Sequence, residues 1–166
     1  MAGLEDGVIA ASQIHEARAN VVAIPADLAG LTASLWMGGA RSLRGVSLHT
    51  DGLARSLIVD CAGEMPQAMR EAAAVWLPCV FVDHDGPVAG MHRVEAAARE
   101  AAVLARTGDI DSVYVMCTHG MNRSGLVTGM ILREFGLTGP AAVDRIAAAR
   151  PGALSNLWFR QLLQEA

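Results

Sequence analysis

Apolar positions along this chain recur with two periods, one of strands and one of helices, and the switches between them mark the expected elements. Val21 to Ile24 and Leu35 to Met37 predict short strands, with Gly38-Gly39 as a turn. Ser56-Leu57-Ile58-Val59-Asp60 predicts a stronger strand, and Pro66 opens a helix running toward Trp76. Cys79-Val80-Phe81-Val82 is a continuous apolar run of buried-strand type that breaks into the polar loop Asp83-His84-Asp85-Gly86-Pro87. From Met91 to about Arg106 the apolar positions keep helical spacing, and Thr107-Gly108-Asp109 closes the segment. Val113-Tyr114-Val115-Met116 predicts the next buried strand. Helices follow from Arg123 to Phe135, after Pro140, and through Trp158 to Leu163. The Ala-rich tracts at 96 to 105 and 141 to 149 carry helical charge spacing. Residues 1–20 show no firm pattern and are expected to form a loosely attached arm, leaving one domain over 21–166. Strands alternating with helices imply an α/β fold with a mostly parallel sheet of about four to five strands flanked by helices.

Length and charge narrow the picture. A chain of 166 residues is long enough to bury a core without disulfides or a structural metal. The 52% apolar content contains no run of the roughly 20 residues a membrane span needs. No secretory pattern stands in the first twenty residues, and the three widely spaced cysteines suit a reducing compartment, so a cytoplasmic protein is expected. A net charge of -4 argues against nucleic acid or an anionic membrane as partner, so any anion site must be local. No feature speaks to oligomeric state.

One segment has the form of such a site. The strand ending at Met116 delivers the chain to Cys117-Thr118-His119-Gly120-Met121-Asn122-Arg123-Ser124-Gly125, at a carboxyl edge where parallel sheets bind ligands. A short loop between a strand and a helix can turn backbone N–H groups inward, and the helix N-terminus adds its positive end. Gly120 lets the backbone curl. Arg123 can donate two parallel hydrogen bonds to phosphate oxygens, which Lys cannot copy. The same environment favours thiolate over thiol at Cys117.

Cys117-x5-Arg123-Ser124, entered from a hydrophobic strand and followed by a helix, resembles the signature of the dual-specificity phosphatases of the cysteine-dependent protein tyrosine phosphatase superfamily. Leu35-Trp36-Met37-Gly38, Leu57-Ile58-Val59-Asp60, the loop at 83 to 85, and Arg150-Pro151-Gly152-Ala153-Leu154-Ser155-Asn156 with Phe159 and Gln161-Leu162 are similar, in order, to family landmarks. The resemblance implies a protein tyrosine phosphatase-like fold and hydrolysis of phosphomonoesters through a phosphocysteine intermediate. Cys117 would be the nucleophile, and Thr118, His119, Gly120, Met121, Asn122 and Arg123 would bind the phosphoryl group. Asp83 is the preferred general acid by its place directly after the hydrophobic run, with Asp85 the alternative. Ser124 would ease departure of the thiolate, and Asn156 would brace the loop. Cys61 lies where tensin-type phosphatases carry a second cysteine that pairs with the nucleophile on oxidation.

The family usually places His directly before the nucleophile, where this chain has Met116, and weaker stabilisation of the thiolate is expected from the change. The resemblance implies no cofactor. A metal at His84 and His119 is not favoured. Cys79 reads as a core residue. The loop lacks the lysines of phosphoinositide-directed relatives. The implied substrate is therefore a phosphorylated protein or a small phosphomonoester, with phosphotyrosine ahead of phosphoserine and phosphothreonine. A non-catalytic phosphopeptide-binding protein and a rhodanese-like sulfur carrier remain the competing readings.

Overall fold

The computed structural model describes residues 21–40 and 53–166, so the expected arm at 1–20 lies outside the described residues. Five strands form one sheet: β1 (Val22–Ile24), β2 (Ser34–Gly39), β3 (Ser56–Asp60), β4 (Val75–Pro78) and β5 (Ser112–Cys117). Their spatial order is β1-β2-β5-β3-β4, with β1 antiparallel to β2 and every other pairing parallel. β5 lies at the centre because Val113 to Cys117 are all buried, and a strand with layers on both faces must be apolar throughout.

Helices α1 (Gln67–Ala72), α2 (Met91–Leu104), α3 (Arg123–Glu134), α4 (Gly139–Ala149) and α5 (Leu157–Glu165) complete the described fold. Alternate strand residues sort into two layers. Leu57, Val59, Val113 and Val115 face a large apolar cluster shared with α2, α3, α4 and α5. Ile58, Tyr114 and Met116 face a smaller one with Met65 and Met69, where the Trp36 and Tyr114 rings stack at 6.1 Å. α2 meets the first layer through Val94, Ala97, Ala98, Ala101 and Ala102, whose small side chains let it approach closely. α3 is buried at Ser124 through Gly129 and again at Ile131 and Leu132, so it runs through the core. Among the described residues no helix is long and apolar enough to cross a membrane.

Three local expectations are corrected. Gly38 and Gly39 do not turn; they extend β2, paired with Met116 and Cys117. The helix after Pro66 stops at Ala72, and Trp76 belongs to β4, paired with Ile58. Cys79 to Val82 lies outside the ladder: the Cys79 and Phe81 N–H groups reach the Asp60 and Cys61 carbonyls at 2.9 and 3.4 Å, and the neighbouring chain bends away beyond Cys61. That bend is held by the Asp60 carboxylate, which accepts from the N–H groups of Gly63 (2.9 Å) and Glu64 (3.3 Å). Left without a full partner, the segment alternates: Cys79 and Phe81 are buried, while Val80 and Val82 are 55% and 68% exposed.

Candidate active site

β5 ends on Cys117 and α3 begins on Arg123, so the five intervening residues must reverse the chain within a small loop. Cys117 is only 3% exposed, at the floor of that loop. Its sulfur accepts the Gly120 N–H at 3.2 Å and lies 3.3 Å from the Ser124 hydroxyl oxygen, itself fully buried. Gly120 has φ +71°, and a Cβ there would collide with the backbone of Gly38 and Gly39. The loop therefore rests directly on β2, which explains why strand positions carry glycine. Asn122 occupies the N-cap of α3, yet its side chain makes no capping bond to the first-turn N–H groups.

Arg123 is anchored from one side. Its Nη2 donates to the Thr118 hydroxyl at 2.9 Å and its Nη1 to the Phe81 carbonyl at 3.4 Å, while Nε is buried with no partner. The Thr118 hydroxyl in turn donates to Glu64 at 2.6 Å. Glu64 thus bonds the loop directly and reaches Arg123 through Thr118, a role sequence reasoning missed because Glu64 and Thr118 meet only across the sheet edge. Arg150 was missed as well, having been read only as part of a landmark. It is 5% exposed behind the loop, with Nη2 donating to the His119 carbonyl at 3.2 Å and Nε to the Met121 sulfur at 3.1 Å. Burial lowers the Arg150 pKa, and the charge of Cys117 works against that shift. The next residues follow the same surface: Leu154 takes φ +59° and its N–H bonds the Met121 carbonyl at 3.0 Å.

Asp83 is fixed by two amides. Asn122 donates to one carboxylate oxygen at 3.2 Å and Asn156 to the other at 2.8 Å. Asn156 also donates to the His84 carbonyl at 2.9 Å, accepts from Phe159 N–H at 3.2 Å as the cap of α5, and gives its own N–H to Asn122 at 2.9 Å. Asp83 lines a cavity of about 700 Å³ together with Cys117, His119, Met121, Asn122, Arg123 and Arg150. Asp85 does not line it; it borders an adjoining hollow of about 450 Å³, which Asp83, Asn122 and Ser155 line as well. Met116 is fully buried in the opposite layer from Cys117. Cys61 is fully buried in the same layer as Cys117, with its N–H bonded to the Met116 carbonyl at 2.7 Å.

The arrangement offers a buried sulfur, a hydroxyl beside it, a guanidinium with an unused donor and a carboxyl group on the same cavity. No family model matches the sequence, and no curated protein matches it. Solved structures do match. A mouse protein described as a dual specificity phosphatase, complexed with zinc tungstate, is 25% identical, with 79% of this chain and 80% of that chain covered and a TM-score of 0.63. Human DUSP28 is 23% identical over 79% of this chain and 88% of its own, at TM-score 0.61. A Leishmania major protein described as a protein tyrosine phosphatase is 15% identical over 89% and 98% of the two chains, at TM-score 0.62.

Proposed function

This chain has the fold of the dual-specificity phosphatases of the protein tyrosine phosphatase superfamily, and we propose that it hydrolyses phosphomonoesters through a phosphocysteine on Cys117. The observation that carries the proposal is the pairing of the Cys117 sulfur, held by Gly120 N–H and Ser124, with the partnerless buried Nε of Arg123 on one cavity. A buried donor without an acceptor costs about 1–3 kcal/mol, and a phosphoryl oxygen removes that cost. In the first step the sulfur attacks phosphorus while Arg123 and the loop N–H groups hold the equatorial oxygens. Asp83 protonates the leaving oxygen, and the same carboxylate then activates water against the phosphocysteine. The Ser124 hydroxyl donates to the sulfur as it departs.

The substrate is a phosphorylated protein side chain, tyrosine ahead of serine and threonine. Val22, Met121 and Pro151 give the cavity apolar lining that suits an aryl ester, and the loop interior carries no lysine. The three free cysteines suit work in a reducing, cytoplasmic setting.

Acid quenching during turnover of an aryl phosphate, followed by peptide mass spectrometry, tests the mechanism. A phosphoryl adduct on the Cys117 peptide is expected, whereas a persulfide formed with a sulfur donor would identify a sulfur carrier. Cys117→Ser should abolish turnover and still bind tungstate, the oxyanion carried by the mouse relative. Appreciable hydrolysis by that variant removes Cys117 from the reaction.

A further inference from the structure

Two hollows meet the catalytic cavity at Asp83, and they differ in chemistry. The one beside Asp85 is lined mainly by polar groups, with Leu157 its apolar exception. The other, of about 740 Å³, is lined by Val80, Phe81, Val82 and Ala89, with Arg93 from the first turn of α2 on its wall. Asp83 and Arg123 line both this apolar hollow and the catalytic cavity, so the two volumes adjoin across the reacting groups.

The large apolar side chains exposed among the described residues are Val80, Val82, Val103, Leu157 and Trp158. Val103 stands apart, near the carboxyl end of α2. Val80 and Val82 directly precede Asp83, whereas Leu157 and Trp158 directly follow Asn156, which holds Asp83. Apolar side chains exposed singly need no explanation, but their gathering beside a site marks a surface that is covered in use. This one is set before any ligand arrives. Phe81 packs inward on Phe159 with ring centroids 5.9 Å apart, and the alternation along the segment turns Val80 and Val82 outward. Arg123 holds the Phe81 carbonyl, and Asn122 and Asn156 hold Asp83. Binding here therefore carries little ordering cost.

We propose that the apolar hollow takes an apolar side chain of the substrate itself, a near neighbour of the phosphotyrosine on one side, and so selects substrates by flanking sequence. This rests on the reading of the catalytic cavity as a phosphomonoesterase site. Residues of an extended chain advance about 3.3 Å each. A substrate chain that brings its phosphoryl group to Arg123 thus carries a near neighbour past Asp83 and over Val82. Arg93 is exposed, and an exposed ion pair contributes little, whereas the valines gain from every part of their surface that leaves water. An apolar neighbour is therefore favoured over an acidic one.

Steady-state kinetics of the full chain on a series of phosphotyrosine peptides tests this, with glycine, leucine or glutamate at successive positions on either side. An aryl phosphate serves as the substrate without flanks. Leucine should raise kcat/KM by roughly 10-fold over glycine on one side of the phosphotyrosine, and exceed glutamate there. Val80→Ser and Val82→Ser, both at exposed positions and verified as folded by thermal melting, should bring that ratio close to unity while aryl phosphate turnover stays at the wild-type level. A displaced Asp83 would slow all substrates alike, so the ratio between peptides reads the hollow itself. Equal rates on leucine and glycine peptides, or a ratio that survives in both variants, overturns the proposal. A preference for glutamate that disappears in Arg93→Gln also overturns it and gives the hollow to an anion. Sedimentation covers the remaining occupant: self-association lost in Val80→Ser at an unchanged peptide ratio assigns the surface to a second copy of the chain. Wild-type turnover of the aryl phosphate reports the phosphatase reading separately.

Discussion

The guanidinium of Arg123 is bonded through its two terminal nitrogens to Thr118 and Phe81 and open at Nε. A lysine supplies charge at that position but neither the fork nor the anchoring bonds. Charge-assisted hydrogen bonds contribute about 1.5–3 kcal/mol each. Loss of two should lower kcat/KM for an aryl phosphate in Arg123→Lys by about 10² to 10⁴, with tungstate inhibition weakened in parallel. Near-normal kinetics would exclude a direct part for Arg123. The two aspartates separate on similar grounds: Asp83 lines the cavity that holds Cys117, and Asp85 lines only the neighbouring hollow. Asp83→Asn should lower turnover of poor leaving groups by about 10² to 10⁴ and flatten the pH profile, with activated leaving groups less affected. Asp85→Asn should be far milder, and the reverse order would transfer the acid role to Asp85.

Between strand and helix, the binding loop holds its shape through glycine. Gly120 has φ +71° and lies against the backbone of Gly38 and Gly39, so Gly120→Ala must displace either the loop or β2. The left-handed backbone costs a non-glycine residue about 1–2 kcal/mol and the collision about 1–3 more. A clear fall in Tm together with lost tungstate binding is expected. Gly108→Ala is the control, with φ +78° but nothing within 4 Å, and should cost only the conformational part. The same contact shows what sequence could and could not convey. The strand, loop and helix from Val113 to Phe135 were legible because each is specified by its own neighbours. Gly38-Gly39 was misread as a turn because its glycines serve a loop far along the chain. Cys79 to Val82 was misread because a strand needs a continuous partner, and the bend held by the Asp60 carboxylate takes the neighbouring chain away beyond Cys61. Glu64 and Arg150 gave no local signal for the same reason: each acts on the loop across tertiary distance.

Across the whole molecule, the parallel strands β2, β3, β4 and β5 run to one edge, and the remote tail closes over it. Asn156 is where this closure concentrates. It caps α5 through Phe159 N–H, holds Asp83 and the His84 carbonyl, and bonds Asn122 at the start of α3. Only its Nδ2 donates to the acid loop, whereas its Oδ1 accepts within the helix. Two substitutions can separate these roles. Asn156→Ala loses both, so about 1 kcal/mol of capping disappears. That corresponds to roughly 2–4 °C in Tm for a chain of this size. Asp83 would also lose a bond that orients it, lowering kcat by about 10- to 100-fold with little change in KM. Asn156→Asp keeps an acceptor for Phe159 N–H, since Asp caps as well as Asn. It should recover most of the Tm. It supplies no donor to Asp83 and sets a second carboxylate beside it, so kcat should remain low. Thermal melting and steady-state kinetics on both variants decide the matter. Recovery of kcat along with Tm in Asn156→Asp would show that Asn156 serves only the helix, and low kcat at restored Tm would show that the tail positions the acid.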